Sequence, residues 1–283
     1  MRTIAFEKIV SEVEKLCIKS SLELPQDVLT ALEQARQRET NSRAKRILSQ
    51  LLENAKIAKE QKIPICQDTG LAVIFLELGS QVQIEPADKT IVDAINLGIK
   101  QGYENGFLRK SVVAQPLNNR KNTGTNTPAI IHTQIVPGNK IKITLMTKGG
   151  GCENKSRFKM FLPTDDKEKI CRWIVQTVAD AGADACPPFV IGIGLGGNFE
   201  QSCILSKKAL TRKVDSKNSD PFYADMEKQL LDEINALGVG PAGLGGDTTA
   251  LGVMIETAAC HIASLPAAVN IECHAHRHAS VEI

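Results

Sequence analysis

Aromatic side chains are scarce in this chain of 283 residues: one Trp, two Tyr and eight Phe, 4% in all. So few rings leave no supply of stacking platforms for single-stranded nucleic acid. Surplus charge is missing too. Lys and Arg number 34 against 32 Asp and Glu, a net +2, where a nucleic-acid or membrane-surface protein would concentrate basic charge. No uncharged apolar run approaches the ~18–20 residues that span a bilayer. The first ten residues carry Arg2, Glu7 and Lys8 and lack the apolar core of a signal peptide. The expectation is a soluble, cytoplasmic chain with neither nucleic acid nor membrane as partner. No CxxC occurs, which excludes zinc ribbons and thioredoxin-like motifs.

Hydrophobic residues at 42% and charged residues at 23% belong to an ordinary globular protein. Its eight cysteines, 17, 66, 152, 171, 186, 203, 260 and 273, are too sparse for a disulfide scaffold. Each is read by default as a buried thiol packing like a small hydrophobe. Apolar spacing predicts helices over Phe6–Cys17, after Pro25 and over Asn41–Gln61. The run Leu71–Leu78 predicts a strand, and 87–103 a helix. Pro128–Val136 and Lys140–Thr147 predict a hairpin about Pro137-Gly138-Asn139. An amphipathic helix is expected over 163–185, capped by Thr164, Asp165 and Asp166. Beyond it follow a buried strand at Phe189–Leu195, helices at Phe199–Leu210 and Pro221–Leu237, and a strand at Ala267–Cys273. The whole predicts one mixed α/β domain, with a helical N-terminal part over 1–61 and a mixed α/β part over 62–283.

Six polar or glycine-rich segments interrupt these elements. They are Cys66-Gln67-Asp68-Thr69-Gly70, Asn122-Thr123-Gly124-Thr125-Asn126, Lys148-Gly149-Gly150-Gly151, Ala185-Cys186-Pro187-Pro188, Gly245-Gly246-Asp247-Thr248-Thr249, and Glu272-Cys273-His274-Ala275-His276-Arg277-His278. Each falls at the end of an expected element, where functional loops sit on rigid scaffolds. Six in one chain suggest a shared site. Three carry a cysteine, and three thiolates suit an iron–sulfur cluster that leaves one iron open.

Pro64 to Gly70, Asn122 to Asn126, Lys148 to Gly151 with Asn154-Lys155, Ala185 to Pro188, and Asn270 to His274 with Arg277-His278 together resemble the class I fumarate hydratase and L-tartrate dehydratase family. The order and intervals match from about residue 40 to the C-terminus. The likeness is to the α subunit of the two-subunit form, or to the N-terminal half of the single-chain form. The resemblance implies a [4Fe–4S] cluster with one open iron on Cys66, Cys186 and Cys273, oxygen-sensitive. It also implies substrate binding by Gln67, Arg109, Gly150 and His261, with Asp68 in proton transfer.

The guanidinium fork of Arg109 suits one carboxylate of a small dicarboxylate, and Gly150 can offer a backbone N–H where a side chain would obstruct. The implied reaction is reversible hydration of fumarate to malate, or alternatively dehydration of tartrate to oxaloacetate. The implied partner is a β subunit supplying a catalytic Thr that the sequence up to Ile283 leaves no room for, with homodimerisation to a heterotetramer. Cys152, after the triple glycine, and Cys260, beside His261, depart from the ligand positions. Two rival readings have their own residues: Gly192-Ile193-Gly194-Leu195-Gly196-Gly197 as a dinucleotide-binding GxGxxG, and Cys273, His274, His276 and His278 as a metal-binding module. A non-catalytic assembly role is a third.

Overall fold

A computed structural model describes all 283 residues. In chain order its elements are β1 (Arg2–Ala5), α1 (Phe6–Leu22), α2 (Gln26–Arg38), α3 (Ser42–Gln61), β2 (Leu71–Gly79), β3 (Val82–Glu85), α4 (Ile91–Asn105), β4 (Ile130–Val136) and β5 (Ile141–Lys148). Then come α5 (Gly150–Glu153), β6 (Arg157–Phe161), α6 (Lys167–Ala181), β7 (Phe189–Gly196), α7 (Phe199–Ala209), α8 (Pro221–Asn235), β8 (Ala250–Ala258), β9 (Leu265–Glu272) and β10 (His278–Glu282). The mixed α/β class is as the sequence predicts. Contacts gather into two compact units. Unit 1 comprises Met1–Pro25, Ala55–Gly150 and Arg277–Ile283; unit 2 comprises Gln26–Asn54 and Gly151–His276.

Unit 1 is a four-stranded sheet in the order β10-β5-β2-β4, with β1 and β3 paired in parallel beside it as a two-stranded ribbon. Its core joins Ile9, Val13, Leu16 and Cys17 of α1 to Ile74, Ile95, Ile99, Ile141 and Ile143. The two helices α1 and α4 pack closely because Gly98 and Gly102 have no side chain. A Cβ at Gly98 would lie 2.6 Å from the Val10 carbonyl oxygen, and one at Gly102 would lie 2.6 Å from Cβ of Cys17. Cys17 is thus a packing residue. A capping box fixes the start of α4: Thr90 accepts from the Asp93 N–H while the Asp93 carboxylate accepts from the Thr90 N–H.

The expected hairpin over 128–147 does not form. β4 and β5 both exist, but β2 runs between them, parallel to β4 and antiparallel to β5. The β2–β3 turn occupies the place of the hairpin turn: the N–H groups of Gly79, Ser80 and Gln81 donate to the carbonyls of Lys140, Val136 and Gly138.

Unit 2 is a four-stranded sheet in the order β6-β9-β7-β8. Its core joins Phe189, Ile191 and Ile193 of β7 to Val253, Ile255, Val269, Ile174, Val178, Leu230 and Ile234. Asp166 caps α6 by accepting from the Lys169 N–H, and a 3₁₀ turn over Gly182–Ala185 leads on to Cys186. β7 and β8 are parallel and joined through α7 and α8, a crossover that follows the GxGxxG segment. Its glycines have a packing explanation. A Cβ at Gly192 or Gly194 would lie 2.0 Å from the carbonyl oxygen of Ser206 or Ser202, and one at Gly196 2.0 Å from that of Ala258. They admit helix α7 and strand β8, and this removes the reason to read GxGxxG as a phosphate cradle. The stretch Cys273–Arg277 is not strand, so Cys273, His274 and His276 do not alternate between the faces of a strand.

Candidate active site

Strand direction decides where the six polar segments fall. In unit 1 the start of β2 (Leu71) pairs with the end of β5 (Lys148), Met146 of β5 pairs with the start of β10 (His278), and β4 starts alongside in parallel. Cys66–Gly70, Asn122–Asn126, Lys148–Gly150 and Arg277–His278 therefore lie at one end of one sheet. In unit 2 the start of β7 neighbours the start of β8 and the end of β9, and β6 starts beside β9. Gly151–Cys152, Cys186–Pro188, Gly245–Thr249 and Glu272–Cys273 likewise share one end of that sheet.

The unit 1 cluster is built around Asp68. Its Oδ1 accepts from the Gly70 N–H at 3.0 Å and its Oδ2 from the Gly150 N–H at 2.8 Å. The expected donor of Gly150 is thus engaged by Asp68. The loop is pinned from below. Nη1 of Arg277, 1% exposed, donates to the Asp68 carbonyl at 2.8 Å, and the Tyr103 hydroxyl donates to the Thr69 carbonyl at 2.7 Å. Asn126 donates to the Gly70 carbonyl and accepts from the Ser111 N–H, tying in the segment that follows Arg109. The Thr69 hydroxyl donates to the Arg109 carbonyl at 2.7 Å, leaving the Arg109 side chain exposed. Gly70, at φ +71°, is obligatory here, since a Cβ would lie 2.7 Å from the Lys148 carbonyl. Cys66 is half-buried and Gln67 exposed on the same loop.

In unit 2 the His274 N–H donates to the Cys186 carbonyl at 3.3 Å, joining the two cysteine segments. Cys186 is exposed and Cys273 half-buried. The Ala242 N–H donates to the Pro187 carbonyl, and Asp247 is held by Thr40 and by both carboxylate oxygens of Glu39. His261 stands apart. It is exposed on the turn before β9, whereas Cys273 follows β9, and the eight residues of that strand separate them by roughly 25 Å. Its Nδ1 accepts from the Ala263 N–H.

Two groups that the sequence reading gave no role belong to these clusters: Arg277, present in the motif, and Glu272, fully buried beside Cys273. Cys152 also joins them. Its Sγ, a carboxylate oxygen of Glu272 and the Cys273 Sγ lie within 4.8 Å of one another, a group able to hold a metal ion. The thiols divide by environment. Burial pushes those of Cys17 and Cys171 up, which disfavours the thiolate that a metal needs. Cys66, Cys186 and Cys273 lie on loops at sheet ends, Cys186 exposed and the other two half-buried.

A family profile described as Fumarate hydratase (Fumerase) matches residues 10–282. A protein of Methanocaldococcus jannaschii provisionally named L(+)-tartrate dehydratase subunit alpha is 42% identical over 276 residues, 96% of each chain. The L(+)-tartrate dehydratase subunit alpha of Escherichia coli strain K12 is 30% identical over 275 residues, 96% of this chain and 90% of that one. Its counterpart in Shigella sonnei is equally similar. The chain belongs to the fumarate hydratase family. No helix is long and apolar enough to cross a membrane.

Proposed function

We propose that this chain is the α subunit of a hydro-lyase that adds water reversibly to fumarate, giving malate, and that Cys66, Cys186 and Cys273 hold a [4Fe–4S] cluster with one iron free of protein ligands. The observation that carries the reading is Asp68, a carboxylate oriented by two N–H donors and two residues from the thiol-bearing position 66. The donor set fits the group: thiols on loops at sheet ends, exposed or partly exposed, distinct from the buried thiols of Cys17 and Cys171. When bound, such a cluster supplies a Lewis acid for a substrate hydroxyl and carboxylate.

The protein side chains do the rest. Each oxygen of Asp68 accepts one N–H, which leaves lone pairs to take or return a proton at the substrate carbon. Gly70 and Gly150 hold that carboxylate in place, and Arg277 holds its main chain. Arg109, exposed beside this loop, grips a substrate carboxylate through its guanidinium, with Gln67 adding an amide contact. His261 lies a strand's length from Cys273, so it reaches substrate only if a second copy of the chain delivers it. A β subunit as partner agrees with the α-subunit names of the relatives; the reading takes the two as a cytoplasmic heterotetramer.

Those names also favour a second reading, dehydration of L(+)-tartrate to oxaloacetate. Malate and tartrate differ by one hydroxyl, so assay of the anaerobically reconstituted complex on both decides. Turnover of fumarate well above that of tartrate is expected; the reverse order selects the second reading. Replacing Cys66, Cys186 or Cys273 with Ser should abolish bound iron and sulfide, while Ala at Cys17, Cys171 or Cys203 should not. Full cluster content in Cys186→Ser would overturn the ligand assignment.

A further inference from the structure

Cys152 and Glu272 have no part in the function proposed above, yet unit 2 brings both to Cys273. The three ligand atoms, two Sγ and one carboxylate oxygen, lie within 4.8 Å of one another. They come from separate parts of the chain. Cys152 sits in α5 at 4% exposure, its Sγ donating to the Ala185 carbonyl at 3.4 Å. Glu272 ends β9 at 0% exposure, and the Cys273 N–H donates to its Oε1 at 3.4 Å. The Cys273 Sγ lies 3.9 Å from the same oxygen.

Two adjacent thiols decide which cation suits. Calcium and magnesium take oxygen ligands, whereas thiolates select soft or borderline ions. In a tetrahedral zinc site, Zn–S of about 2.3 Å and Zn–O of about 2.0–2.2 Å place neighbouring ligand atoms about 3.5–3.8 Å apart. The observed group needs an inward shift of about 1 Å at most to reach that spacing.

We propose that Cys152, Glu272 and Cys273 form a binding site for a single zinc-class divalent ion in the cluster-free chain, with water in the fourth position. Both thiols lose their protons on binding, and the ion neutralises the Glu272 carboxylate. The site stands on these three residues alone. Cys273 is also a proposed cluster ligand, so ion and cluster exclude each other; only this consequence rests on the hydro-lyase reading.

The test uses the full chain, reduced and stripped of metal and cluster, titrated with Co²⁺ and then displaced by Zn²⁺. Thiolate-to-cobalt charge-transfer absorption should saturate at one ion per chain. Cys152→Ala and Glu272→Gln should each weaken binding by more than ~100-fold, beyond the ~10–100-fold cost of losing an outer-shell partner. Cys66→Ser and Cys186→Ser should bind as the unaltered chain does. X-ray absorption of the zinc form of the unaltered chain should show two sulfur neighbours with oxygen completing the shell. Absence of saturable binding would overturn the proposal, as would three sulfur neighbours or equal loss in Cys66→Ser, either of which puts the ion on the cluster thiols. Should Cys152→Ala fail to fold, the sulfur count on the unaltered chain decides. Failure to form a cluster on reconstitution is a separate result and leaves this site untouched.

Discussion

Single residues carry the division between binding and chemistry. Arg109 is exposed, with only its carbonyl tied to the Thr69 hydroxyl, so its guanidinium is available to a ligand. Losing a charge-assisted hydrogen bond costs ~1.5–3 kcal/mol. Arg109→Ala should therefore raise KM by about one to two orders of magnitude, at tenfold per 1.4 kcal/mol. Asp68 is held by the Gly70 and Gly150 N–H groups, and the acid or base role proposed for it matters mainly in the transition state. Asp68→Asn should lower kcat roughly 10²–10⁴-fold, with KM little changed. Iron and sulfide content must be measured alongside, because Asp68 neighbours Cys66. Near-normal kcat with a full cluster would reduce Asp68 to a loop-ordering residue. At this scale the sequence was legible wherever a motif named the residue. It assigned no role to Glu272, Tyr103 or Asn126: Glu272 matters through its burial, and Tyr103 and Asn126 through partners 15 to 56 positions away.

Elements were legible where the signal is local. The apolar stripes of α1 and α3, the Asp166 cap of α6 and the buried run of β7 depend on neighbours in sequence, and each formed as expected. Pairing was not legible. Pro137-Gly138-Asn139 is a sound turn signal, but β2 contributes backbone partners to both flanking strands, and no local pattern announces an inserted strand. β1, β6 and β10 are four or five residues long and partly exposed, too short for a clear period. The GxGxxG motif shows the same limit from the other side, since its glycines serve the approach of α7 to β7. Gly194→Ala puts a Cβ against the Ser202 carbonyl, a main-chain atom that moves only if the helix moves. Overpacking of this kind costs about 1–3 kcal/mol, and each kcal/mol lowers Tm by roughly 2–4 °C in a chain of this size class. A variant with unchanged Tm would show that α7 has slack against the sheet and would reopen the motif to a ligand.

At the scale of the whole molecule, each unit brings its polar loops to one end of its own sheet, and strand direction alone accounts for this. The sequence showed the loops and their spacing, while their gathering required the pairing that only the structure supplies. What is gathered is an incomplete set for a dicarboxylate. A substrate with two carboxylates calls for two cationic or hydrogen-bonding grips, and reversible hydration calls for both an acid and a base. In the proposed function Arg109 provides one grip and Asp68 one proton-transfer group. Arg277 is occupied by the Asp68 carbonyl and buried. His261 is a strand's length from Cys273. We propose that the missing groups come from a second polypeptide, a reading that the subunit names of the relatives support. The isolated, reconstituted chain should hold its cluster and yet be essentially inactive on fumarate and tartrate. Activity should rise with added β subunit and saturate at equal stoichiometry. Measuring iron and sulfide in the same samples separates a missing partner from a missing cluster. If the isolated chain with a full cluster turns over substrate at the rate of the complex, the second grip and second proton-transfer group lie within this chain, and the buried cations Lys148 and Arg277 become the first places to look for them.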